Sequence, residues 1–208
     1  MTQPARLNAA DALSLLKEGN ARFVSNLESR IDQIQNKHTA LALEQNPFAI
    51  ILGCSDARVP AEIVFDQGLG DLFVIRVAGN IVAPSQIGSI EYAVEQFGAP
   101  LVVVMGHSRC GAIEATVNEL TSSEASRSPN LRSIVDRISP SVETLLETPI
   151  KNNAEDLVHY AVRANVRSSI GHLRQGSRII EQLIGRGELA IVGAQYFIET
   201  GKVEFFSE

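Results

Sequence analysis

No stretch of this chain is apolar for long enough to cross a membrane as a helix, no basic run or stripe is present, and there are only two cysteines. Each shortage removes a class of function. The first predicts that no membrane is a partner. The second argues against nucleic acid, the more so because acidic residues outnumber basic ones 24 to 18, for a formal charge of −6. Two cysteines make a poor disulfide framework. The first residues, Met1-Thr2-Gln3-Pro4-Ala5-Arg6, lack the charged-then-apolar plan of a signal peptide. A cytoplasmic location is expected, and thiols stay reduced there. Repeats and low-complexity tracts are also absent. With 208 residues, 45% of them apolar, the chain can bury a sizeable core without crosslinks. The two thiols therefore need another explanation.

Hydrophobic periodicity sets the organisation. Residues 8–23 predict an amphipathic helix, with Asn8 as cap and Ala12, Leu13, Leu16 and Phe23 near one face. Residues 24–46 are polar and mixed, a helical or irregular connector. The period then changes. Short continuous apolar runs at 47–53, 72–77, 101–106 and 189–193 are typical of strands buried on both faces. Residues 196–198 and 203–206 flank Glu199-Thr200-Gly201-Lys202 as a hairpin would. Helical patterns fall at 86–97, 112–120, 131–146, 154–170 and 176–184, and residues 121–130 form an exposed loop. Strands alternating with helices predict an α/β fold, a mostly parallel sheet flanked by helices. One domain over residues 1–208 is expected, with 1–46 as an N-terminal helical arm and the hairpin at the C-terminus.

Two polar motifs follow strands directly: Cys54-Ser55-Asp56-Ala57-Arg58 and His107-Ser108-Arg109-Cys110-Gly111. Sites in open α/β sheets gather at the carboxyl ends of parallel strands, so these two segments can share a cleft. Together they offer two thiolates and an imidazole, a known catalytic zinc set that leaves one position open. The fourth position falls to water or to the nearby Asp56, since no third cysteine exists and His38, His159 and His172 lie far from both motifs. Core packing competes as an explanation for Cys54 and Cys110, but both adjoin polar residues and sit outside the apolar runs. Neither belongs to a Cys-x-x-Cys redox motif. Asp56 and Arg58 lie two apart beyond a strand end, and an extended segment would point both the same way. Arg58 can then hold Asp56 in a bidentate pair, and Asp56 can orient a zinc-activated water.

These motifs resemble the β-class carbonic anhydrases over nearly the whole chain. The most specific parts are Cys54-Ser55-Asp56-Ala57-Arg58-Val59-Pro60 and His107-Ser108-Arg109-Cys110-Gly111-Ala112. The stretches 16–23, 70–80, 89–93 and 193–196 also fit. The resemblance implies one Zn²⁺ per chain on Cys54, His107 and Cys110, an Asp56–Arg58 dyad, and reversible hydration of carbon dioxide to bicarbonate and a proton. It implies a substrate pocket near a dimer interface, lined by Gln45, Phe73, Ala78 and Tyr92, with Gly111 offering backbone contacts. Ala78 replaces a larger aliphatic residue. It further implies a homodimer or homotetramer in which the N-terminal helix lies across the partner.

One departure bears on regulation. Some members hold a regulatory bicarbonate on a tryptophan, an arginine and a tyrosine. Arg76 and Tyr196 fit two of these positions, but Ile51 stands at the third, and the chain has no tryptophan. The open type of zinc site is expected, and Arg76 should act structurally, by pairing with a carboxylate at the subunit contact. Two other functions compete: hydrolysis of carbon disulfide or carbonyl sulfide on the same scaffold, and a zinc-binding protein without turnover. An intact Asp56–Arg58 pair speaks against the second.

Overall fold

A computed structural model describes residues 7–25, 45–122 and 128–206. Most of the connector predicted at 24–46, and the middle of the loop at 121–130, lie outside the described residues. The remainder builds one five-stranded sheet in the order β2-β1-β3-β4-β5. Its strands are β1 (Ala49–Gly53), β2 (Leu72–Arg76), β3 (Leu101–His107), β4 (Ala190–Tyr196) and β5 (Val203–Phe206). The first four run parallel, and β5 returns antiparallel to β4. Every residue of β1 and β3 is buried. These central strands are covered on both faces, which is why their sequences read as unbroken apolar runs.

The helices are α1 (Ala9–Ser25), α2 (Ala61–Val64), α3 (Pro84–Phe97), α4 (Gly111–Thr121), α5 (Pro129–Leu146), α6 (Ala154–Gly176) and α7 (Arg178–Gly185), with 3₁₀ turns at Ala78–Asn80 and Pro149–Asn152. Alternate residues of the strands feed two cores. Ile50, Leu52, Val102 and Val104 meet Ile90, Val166, Ile170 and Leu173 of α3 and α6 on one face. Ile51, Val103 and Met105 meet Leu16 of α1 and Phe65 on the other. A third cluster, with Ile113, Ile138 and Val162, packs around Cys54 and Cys110.

Helix α1 begins as its sequence predicts, with Asn8 Oδ1 accepting from the Asp11 N–H at 2.9 Å. It lies on its own chain's sheet. Asn20 Nδ2 donates to the Val64 and Gly201 carbonyls, and Asn20 Oδ1 accepts from the Val203 N–H. Two strand assignments change. Residues 189–193 and 196–198 are not separate runs: β4 continues unbroken to Tyr196. The polar Gln195 hides this in the sequence, yet it is fully buried and pairs in register with Gly106. Helix α2 and the 3₁₀ turns have too few residues to show a period.

Candidate metal centre

The register of the sheet brings the two motifs together. Gly53 of β1 sits opposite Met105 of β3, so Cys54 leaves the sheet one pair before His107 closes the neighbouring strand. Adjacent strands lie about 4.8 Å apart. Cys110 follows at the entrance to α4. The ligand-type atoms of Cys54, His107 and Cys110 all fall within 4.8 Å of one another, and all three residues are buried.

The imidazole is prepared to coordinate. His107 Nδ1 is 2.8 Å from the Ser108 carbonyl, which can only accept, so Nδ1 carries the hydrogen. Nε2 is left with a bare lone pair. It is buried and has no hydrogen-bond partner. An orphaned buried nitrogen beside two sulfurs suits a thiophilic cation such as zinc. The thiols agree. The Cys110 thiol donates toward Cys54 and holds its pKa down to about 4, against the opposing effect of burial; the Gly79 N–H, 3.4 Å from Sγ, helps. Cys110 is pushed far up by its charged neighbour Cys54 and by burial. Cys54 is thus the more acidic of the two thiols and Cys110 the one that resists ionisation, and a divalent cation bound by both sulfurs would compete with the proton.

The Asp56–Arg58 pair forms, but not from an extended segment. The chain turns here: the Val59 N–H donates to the Asp56 carbonyl at 3.1 Å, and the Arg58 N–H donates to Asp56 Oδ1 at 2.9 Å. Folding back in this way lets Arg58 Nε and Nη2 reach the two carboxylate oxygens at 2.9 and 2.8 Å. The guanidinium holds the Asp56 carboxyl well below the usual carboxylate range. Asp56 Oδ2 lies 4.0 Å from His107 Nε2, so the carboxylate borders the centre while remaining committed to Arg58.

Within its own chain Arg76 donates to two carbonyls; the carboxylate expected of it is one at a contact with another subunit. Nε donates to Cys54 O at 3.1 Å and Nη2 to Asp56 O at 2.6 Å. It thereby fixes the backbone on both sides of Ser55. Gly79 lies in the stretch 70–80 that fits the family, and Gly-Asn after a strand is a turn signal. Its φ of +67° is that turn, and it aims the N–H at the sulfur.

Of the pocket residues, Ala78 opens the 3₁₀ turn beside Gly79, and Gly111 opens α4 beside Cys110 with free space where a side chain would be. Phe73 and Tyr92 pack together at 6.2 Å, joined by Phe97, and Tyr92 is 52% exposed. Gln45 is exposed and precedes β1, at the end of that strand opposite to Cys54.

Comparison with known proteins decides the family. A carbonic anhydrase family model matches residues 49–203. The chain belongs to the β-class carbonic anhydrases. A carbonic anhydrase of Mycolicibacterium smegmatis is 39% identical over 200 residues, 96% of this chain and 94% of that one. The structure of the β-carbonic anhydrase CcaA superposes with a TM-score of 0.75 at 27% identity, covering 95% of this chain and 88% of that one. A structure of tetrameric β-carbonic anhydrases from Sordaria macrospora shares the fold, with a TM-score of 0.74 at 23% identity over 95% and 98% of the two chains. Carbonic anhydrase is thus the activity of the family to which this site belongs. No described helix is long and apolar enough to cross a membrane.

Proposed function

We propose that this chain hydrates carbon dioxide reversibly at one zinc ion held by Cys54, His107 and Cys110, with Asp56 and Arg58 orienting the attacking water. The observation that carries the reading is the buried, partnerless His107 Nε2 facing two thiols. Zinc bound there would favour ionisation of water, less strongly than at three neutral histidines because two thiolates offset its charge. Asp56, kept ionised by Arg58, is an acceptor only. It takes the hydrogen bond of the attacking water, which leaves an oxygen lone pair aimed at the substrate carbon. The bidentate grip of Arg58 keeps this acceptor from rotating.

Carbon dioxide is small and apolar, and the surroundings match it. The sulfurs pack among Ile81, Ile113 and Ile138. Phe73, Ala78, Tyr92 and Gly111 form the substrate wall in this reading, with Gln45 supplied by a second copy. The half-exposed Tyr92 beside Phe73 and Phe97 is the surface that copy would cover, giving a homodimer. The Sordaria proteins are tetramers, and pairing of two dimers extends the same reading.

The test is carbon dioxide hydration by the zinc-loaded protein beside its Asp56→Asn variant. The variant should keep its zinc and lose about 100-fold in kcat, the lower end for loss of a positioned acid–base group. An inactive, zinc-replete wild type would refute the function. Full activity in Asp56→Asn would remove the role given to the carboxylate.

A further inference from the structure

Two residues separate His107 from Cys110, and the chain must reverse sharply for both side chains to reach one point. It does so through Arg109, whose φ is +54°. That is the left-handed region, disfavoured for a side chain larger than glycine. Something outside the turn must hold it. The tip of the β4–β5 hairpin does this. One Glu199 carboxylate accepts from Ser108 Oγ at 2.7 Å and from Arg109 Nε at 2.8 Å. Ser108 Oγ in turn accepts from the Ile198 N–H at 3.0 Å, and the Ser108 N–H donates to the Tyr196 carbonyl at 2.9 Å. The hairpin tip is itself closed by hydrogen bonds from the Thr200 and Gly201 N–H groups to Phe197 O. Both residues between the two ligands are thus gripped by one carboxylate on a firm turn.

The grip reaches further. Held in this conformation, Arg109 presents its carbonyl to Arg58 Nη2 at 3.3 Å. Arg58 is the residue that clamps Asp56. A continuous path therefore runs from Glu199 through the Arg109 backbone to the Asp56–Arg58 pair. Glu199 touches none of the three ligand side chains.

We infer that Glu199 is a positioning residue for the metal centre: it holds the Ser108–Arg109 turn so that His107 and Cys110 converge. The inference rests on the zinc reading proposed above. Partners that orient metal ligands are worth 10- to 100-fold in affinity, and Glu199 acts through the backbone, so an effect of about tenfold is expected.

The experiment measures zinc release to a chromogenic chelator at pH 7.5, with the melting temperature of each variant alongside. Glu199→Ala should release zinc about tenfold faster than wild type. Glu199→Gln, which keeps an acceptor for Ser108 but not the charge for Arg109, should fall between the two. Glu188→Ala breaks a similar exposed ion pair with Arg186 away from the centre and should release at the wild-type rate. The decisive variant is Arg109→Gly in the Glu199→Ala background. Glycine adopts a positive φ unaided, so the double variant should return toward wild-type release. Release from Glu199→Ala within twofold of wild type overturns the inference, and so does a double variant no slower than Glu199→Ala. A wild type that binds no zinc at all would instead sink the metal reading itself, which separates the two failures.

Discussion

Substituting Gly79 with alanine probes the centre where backbone, packing and thiolate chemistry meet. Gly79 has φ +67° and ψ +18°, a conformation alanine adopts at a cost of about 1–2 kcal/mol. A Cβ there would also lie 2.8 Å from Ile138 Cδ1 and 3.2 Å from Ala112 Cβ. Forcing an extra carbon into a packed site costs about 1–3 kcal/mol. The two effects together predict a loss of about 2–5 kcal/mol, or a fall in Tm of about 4–20 °C for a chain of this size at fixed protein concentration. The two contributions separate cleanly. Ile138→Val removes the Cδ1 atom that the new methyl would strike, at an intrinsic cost of about 0.5–1.5 kcal/mol. In the Gly79→Ala background it should restore the part of the steric cost owed to Ile138 and leave the Ala112 contact and the backbone part. A double-mutant cycle read by thermal unfolding gives the coupling directly, expected at about 1–2 kcal/mol in the favourable direction. Gly79→Ala melting within 1 °C of wild type would refute the strain argument. Additive losses in the double variant would refute the contact with Ile138.

Zinc uptake by metal-free protein near pH 7 should release at least one proton per chain, the one that Cys110 keeps under the influence of burial and Cys54. An indicator dye in weak buffer reads it, and the same competition makes zinc retention weaken as pH falls. Bicarbonate added near pH 8 at constant ionic strength should inhibit hydration without cooperativity. Ile51 is fully buried in the core and offers no donor, and Arg76 is already engaged with two carbonyls. A steep sigmoidal loss of activity would show that a regulatory anion site exists without the tryptophan.

The parts of this molecule that are local in sequence were legible there. Four apolar runs marked the parallel strands, most clearly β1 and β3, where burial on both faces leaves no room for polar residues, and less fully β2 and β4, which carry Arg76 and Gln195. The convergence of Cys54, His107 and Cys110 was legible because cysteine and histidine in polar motifs at strand ends have few other uses. What escaped was carried by contacts distant in sequence. Glu199 reads as a turn residue, and nothing local marks it as the partner of Ser108 and Arg109. Arg76 signalled a polar role correctly, but the sequence could not reveal that its partners would be the carbonyls of Cys54 and Asp56. The Asp56–Arg58 pair was found for a reason the structure replaces: a turn, not strand alternation, brings the two side chains together.

The positions of backbone strain argue for what the site is built to hold. Of the described residues with positive φ, Gly79 donates to the Cys54 sulfur, Asn80 follows it, and Arg109 lies between His107 and Cys110; Asp66, the third non-glycine with positive φ, is elsewhere and held by Arg22. Asn80 is held there through its carbonyl by Ser169, and Gly79 through its carbonyl by Asn165, both buried on α6. Such strain persists only where surrounding structure enforces it. Here the enforced result is a cluster that, without a cation, leaves His107 Nε2 unsatisfied, at about 1–3 kcal/mol. It also forces a buried thiolate against a second sulfur. A core built only for packing would have relaxed these costs by filling the three positions with aliphatic side chains. His107, Cys54 and Cys110 would together hold a divalent cation with tetrahedral N/S preference; such an ion would satisfy the nitrogen lone pair and offset the thiolate charge at the point where Arg109 and Gly79 make the three side chains converge. The strained loops, the orphaned nitrogen and the unequal acidity of the two thiols thus have one common explanation, and each is reported by a different measurement.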